Sequence, residues 1–177
     1  MFGKILSYGT LAGLIVGIAM SAVTVGLSSH LPSPYGMVVG YLIMLIALSA
    51  VFAGIKRYRD VDLGGVIKFW PAFALGLGIT VVASVFYVAA WEATVALTHM
   101  DFAGSYATFV IEEQKAKGVS GEALAKLTAD MEQFKIQYAN PLYRLPMTFI
   151  EIFPVGLLVS LISAGLLRSS RFLPAQR

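Results

Sequence analysis

Two carboxylates, Glu92 and Glu151, interrupt long apolar runs and are the residues best placed for unusual chemistry. Glu151 is the one charged residue between Leu145 and Leu167, and Glu92 follows Trp91 near the end of the run Val66 to Leu97. At ~1.5 Å of rise per residue, Leu145–Leu167 extends for ~34 Å, enough for a hydrocarbon core of ~30 Å. Glu92 then lies ~8 Å and Glu151 ~9 Å below the outer ends of their helices, at matching depth. An ionisable group inside a bilayer marks proton relays and ion pathways, and it is costly unless partnered. If the two acids face each other, they can share one proton, chemistry suited to proton coupling. A structural role is the alternative. Arg144 is seven residues before Glu151 on the same helical face and can pair with either acid, while His99, Thr94 and Thr148 can donate hydrogen bonds. Pro154 removes the helical donor to the carbonyl of Ile150, next to Glu151, an arrangement transporters use at broken helices.

Other chemistries find little support. The chain has two histidines and no cysteine, which excludes disulfides, thiol nucleophiles and thiolate metal sites. His30 and His99 both fall at the expected outer surface, near Asp101, but no ligand spacing marks a metal. No Gly-x-Ser-x-Gly, Gly-rich phosphate loop or His-Glu-x-x-His is present. We therefore expect no catalytic, cofactor or metal site and no nucleic-acid partner.

The elements that must position these residues are read from apolar length. Of 177 residues, 58% are hydrophobic and 13% charged, against about 25% charged in an ordinary soluble domain. Mean hydropathy is +0.78. Spans are expected at about 5–27, 37–55, 70–97 and 145–167, in a single membrane domain covering 1–177. The first run is too long for the apolar part of a signal peptide, about 7–15 residues. It carries Gly9, Gly13 and Gly17, and the third carries Ala72, Gly76, Thr80 and Ser84, small residues every fourth position on one face. With Gly156, these stripes let helices approach closely, within the bundle or across an oligomer seam. Pro32 and Pro34 mark a short first loop, and Pro141 and Pro146 lead the chain into the last span. Phe69 and Trp70 suit an inner interface, with a short interfacial turn up to Pro71 before the third crossing.

Residues 101–140 change character. Phe102, Tyr106, Phe109 and Val110 repeat at helical spacing; Gly118 breaks the pattern; Ser120 suits an N-cap with Glu122 in the first turn. Leu124, Leu127, Met131, Phe134 and Tyr138 then mark a second amphipathic helix. The expectation is an extracytoplasmic amphipathic hairpin between the third and fourth spans, whose apolar faces pack on each other or take a partner. Lys4, Lys56, Arg57, Arg59, Lys68, Arg168, Arg171 and Arg177 flank the opposite ends of the spans, against Asp60 and Asp62. By the positive-inside rule, both termini are cytoplasmic.

Gly40-Tyr41-Leu42-Ile43-Met44-Leu45, Gly54-Ile55-Lys56-Arg57-Tyr58-Arg59-Asp60, Tyr138-Ala139-Asn140-Pro141-Leu142 and Glu151-Ile152-Phe153-Pro154-Val155-Gly156-Leu157 together resemble the bacterial membrane-protein family called domain of unknown function 4199. The resemblance runs through nearly the whole chain and implies a four-span bacterial inner-membrane protein; it carries over no activity and no catalytic residue. The expected fold is thus an all-α integral membrane protein with four transmembrane helices. The leading functional expectation is a non-enzymatic scaffold or accessory subunit assembling with itself or a membrane-protein partner through glycine-lined faces. The alternative is a small proton- or cation-coupled transporter or channel using Glu92 and Glu151.

Overall fold

The structure is a computed structural model that describes residues 1–26 and 34–174. His30, Pro32 and Arg177 lie outside the described residues. All regular structure among the described residues is helical: α1 (Phe2–Gly26), α2 (Pro34–Arg57), α3 (Phe69–Thr98), α4 (Phe102–Ala116), α5 (Gly121–Ala139) and α6 (Pro141–Leu167). A π-helical turn at Tyr58–Asp62 extends α2. Four helices, α1, α2 with its extension, α3 and α6, are long and apolar enough to cross a membrane.

The boundaries differ from the expected ones where prolines are tolerated. Pro34 opens α2 and Pro141 opens α6, the first helical position, where a missing N–H removes no intrahelical bond. Asn140 caps α6, its side chain accepting from the Leu142 amide at 3.0 Å. Pro146 is therefore inside α6 and marks no boundary, because the carbonyl it deprives belongs to exposed Leu142 in the first turn. Pro71 likewise sits in the first turn of α3, which runs without a break from Phe69 to Thr98. Gly64 and Gly65, at φ +66° and +97°, close the α2–α3 connection in a conformation open to glycine, with the Gly65 amide donating to the Arg59 carbonyl.

α3 is the central helix. One face meets α1, the opposite face meets α6, and α2 packs against α1, α6 and α3. Both glycine stripes are spent on these contacts. A Cβ on Gly9 would stand 2.5 Å from Val82 Cβ, on Gly13 2.4 Å from Phe86 Cβ, and on Gly17 2.5 Å from Ala90 Cβ, all on α3. On the other side, a Cβ on Gly156 would lie 2.2 Å from Thr80 Cγ2, and one on Gly76 3.0 Å from Ser160. The glycines thus set α1–α3 and α3–α6 distances within the chain, which leaves them no free face for an oligomer seam. Ala12, Val16, Leu48, Val51, Leu75, Ile79, Ala83 and Ile152 fill the core between these helices.

α4 and α5 pack on each other through Phe102, Tyr106, Phe134 and Tyr138, whose rings meet at centroid distances of 5.4–6.3 Å. Gly118, at φ +87°, ends α4 in the left-handed conformation. Ser120 occupies the N-cap of α5, as its position suggests, although its side chain makes no capping bond.

Candidate functional site

The ionisable groups Glu92, Arg144 and Glu151 all bond across the α3–α6 seam or along it. Arg144, in the second turn of α6, forms a two-pronged bond with Glu92 of α3: Nε donates to Oε1 at 2.6 Å and Nη2 donates to Oε2. Planar guanidinium and carboxylate match in this geometry, the stronger form of an ion pair. Nη1 donates to the Tyr138 carbonyl at 3.3 Å, and the guanidinium lies 5.7 Å from the Tyr138 ring centre. Trp91 Nε1 donates to Tyr138 Oη at 2.8 Å, and the indole meets Phe102 edge-on at 5.1 Å. One set of side chains therefore joins α3, α4, α5 and α6. Burial pushes the Tyr138 hydroxyl up to about 12, against a lowering pull from its bond with Trp91.

Glu92 and Glu151 do not meet. Glu151 accepts from Tyr87 Oη at 3.3 Å, whereas Glu92 is level with Arg144. Tyr87 is five residues before Glu92 on α3, so the two acids differ in depth by ~7.5 Å rather than matching. They cannot share a proton across that distance. Helix register explains the difference, because α6 begins at Pro141 and brings Arg144, not Glu151, opposite Glu92. The hydroxyls expected to satisfy the acids turn elsewhere. Thr148 donates to the Arg144 carbonyl and Thr94 to the Ala90 carbonyl, each one turn back in its own helix. His99 is exposed and ends α3 in a left-handed conformation, φ 51°, its amide donating to Val95. Asp101 caps α4 through the Gly104 amide at 2.8 Å. Pro154 is on the exposed side of α6, one turn after Glu151. Among the described residues, no group of three or more His, Asp or Glu is placed to hold a metal ion.

Three contributors were not singled out by spacing. Tyr87 and Tyr138 carry hydroxyls that look in sequence like ordinary aromatic positions in helical stripes. Arg59 resembles any member of a basic topogenic cluster, yet it is fully buried. Its Nε donates to Asp60 at 2.6 Å, Nη1 donates to the Phe172 carbonyl at 2.9 Å and reaches Leu167 at 3.5 Å, and Nη2 donates to Leu173. A cation thus caps the C-terminal end of α6, where carbonyls lack helical donors. A sequence signal for this role is absent because its acceptors are main-chain atoms more than a hundred residues away.

The chain matches no curated protein and no solved structure. Residues 8–169, most of the chain and every part of the α3–α6 seam, match the family described as Protein of unknown function (DUF4199), and the chain belongs to that family.

Proposed function

We propose that this chain is a non-enzymatic accessory subunit or scaffold of a bacterial inner membrane, a single four-span domain that holds α4 and α5 as a hairpin on the outer side for a partner. The observation that carries this reading is the Arg144 joint. The Glu92 and Arg144 charges, with Trp91 and Tyr138, are engaged with one another in fastening α4–α5 to the spanning helices. A rigidly mounted amphipathic pair suits presentation to another protein. Lys4 lies 3.4 Å from Asp62, and Arg59 ties the α2–α3 connection to the segment after α6. The basic residues flanking α1, α2 and α6 thereby share one end, supporting cytoplasmic termini under the positive-inside rule. A photo-crosslinking residue at Ile136, three-quarters exposed on α5, tests the reading in native membranes. One discrete adduct to a second protein supports it; reaction only with lipid or solvent contradicts it.

Transport remains the second reading, and one observation favours it: Glu151 is excluded from the Arg144 joint. Its test is the flux of protons or cations in vesicles carrying the wild type or Glu151→Gln. A pH-dependent flux lost in the variant favours transport, and identical flux removes it.

A further inference from the structure

The residue that the bundle leaves least provided for is Glu151. It is exposed, on the outward side of a spanning helix, and ten residues inside the α6 start at Pro141. α6 is ~40 Å long against a hydrocarbon core of ~30 Å, so a centred helix sets Glu151 ~10 Å below the outer surface of that core. A carboxylate accepts through two oxygens, and one hydroxyl, Tyr87 at 3.3 Å, is its donor among the described residues. A second unsatisfied acceptor adjoins it. Pro154 has no N–H, so the carbonyl of Ile150 lacks its usual helical donor, and Ile150 is itself 65% exposed. Both acceptors belong to the exposed side of α6, where lipid chains supply no donor.

The surrounding surface has the form of a helix-packing seam. Met147, Glu151, Pro154, Leu158, Leu161 and Gly165 are all exposed and alternate four and three residues apart, the spacing of a left-handed helix pair. Among the described residues, nothing stands within 4 Å of a Cβ built on Gly165, so this end of the stripe is open to a neighbour.

We propose that this stripe docks a transmembrane helix of another protein bearing a lysine or arginine at the depth of Glu151, with which it pairs. Charge complementarity selects a different chain over a second copy. The stripe contains no donor side chain, so two copies meeting through it would set Glu151 against Glu151. The spans' own cations are placed elsewhere: Arg144 is held by Glu92, and Lys4, Lys56 and Arg59 are engaged at the opposite end of the bundle. Desolvated charge pairing gives such a contact its selectivity, since a cation inside the hydrocarbon core is as much in need of a partner as the acid.

The proposal deepens the accessory-subunit reading by naming a second partner surface, and that reading survives on α4–α5 if this surface proves empty. The test uses the full-length protein in phosphatidylcholine vesicles with labelled alanine–leucine spanning peptides of about 23 residues. One peptide carries a single lysine about seven residues from one end of its apolar run, one a glutamate at that position, and one is wholly apolar. Energy transfer from labelled protein should favour the lysine peptide over the apolar one by about tenfold in apparent affinity. That preference should disappear in Glu151→Leu and weaken in the isosteric Glu151→Gln, with helix content unchanged in both. Equal transfer to all three peptides, or a lysine preference that persists in Glu151→Leu, overturns the proposal. So does transfer between labelled copies of the protein that Glu151→Leu abolishes, which would assign the stripe to self-association.

Discussion

At the scale of single residues, the account distinguishes ion pairs that hold the molecule together from an acid that does not. Arg144 and Glu92 are mostly buried, with side chains 12% and 26% exposed. Removing one partner leaves the other charge poorly solvated. Glu92→Gln or Arg144→Gln should therefore lower stability by about 3 kcal/mol, read as the unfolding midpoint in mild detergent, and a double apolar replacement should recover part of the loss. Glu151→Gln should change the midpoint by less than about 1 kcal/mol, because its one hydrogen bond within the chain is long and the amide oxygen can still accept it. Arg59→Lys should be costly, by about 3 kcal/mol, since an ammonium cannot reproduce the fork that reaches Asp60 and the carbonyls of Phe172 and Leu173. The Tyr138 hydroxyl supplies a pH test. Its folded value of about 12 lies above the ordinary 10, so its contribution to stability is complete below pH ~10 and is lost as pH rises through ~12. A phenolate absorbance titration that loses a late-ionising step in Tyr138→Phe is the expected result.

At the scale of elements, glycine positions separate contacts within the chain from surface available to others. Gly13→Leu should disrupt folding itself, because even a Cβ would stand 2.4 Å from Phe86 Cβ and 2.8 Å from the Ala83 carbonyl. The cost of such overpacking is about 1–3 kcal/mol or more, so the expected result is a lowered yield of folded protein rather than a folded protein with altered oligomeric state. Gly165→Ala, with open space around it, should be neutral or stabilise by up to about 1 kcal/mol through helix propensity. Thermal unfolding of the two variants checks both statements. These elements also show what the sequence makes legible. Apolar length locates the four long helices, since no other pattern covers ~30 Å with so few charges. Spacing identifies α4 and α5 through Phe102, Tyr106, Phe134 and Tyr138, and Gly118 marks the break between them. Spacing also identifies the glycine stripes, but it cannot say which neighbour fills them. The same limit left open which acid Arg144 pairs with, because that depends on the α3–α6 register and on α6 starting four residues before Leu145. Arg59 was illegible for a further reason: basic residues at span ends already have a topological explanation, and nothing in their order marks the one that turns inward.

At the scale of the whole molecule, four long apolar helices form a closed base, with the α4–α5 pair at one end and the basic residues flanking α1, α2 and α6 at the other. The absence of native cysteines allows single cysteines at Ala125 on α5 and Ser169 after α6 to report sidedness. A membrane-impermeant maleimide should label the first in cells whose outer membrane alone is opened, and the second only after the inner membrane is broken. The central claim, that the chain works by holding a partner, is tested most directly by purifying it with a terminal tag from its native membrane in mild detergent and measuring the mass of the intact particle. The account predicts a second polypeptide at fixed stoichiometry, diminished by Ile136→Glu on α5 or Glu151→Leu on α6. A particle containing this chain alone, active in a pH-dependent flux that Glu151→Gln abolishes, would contradict it.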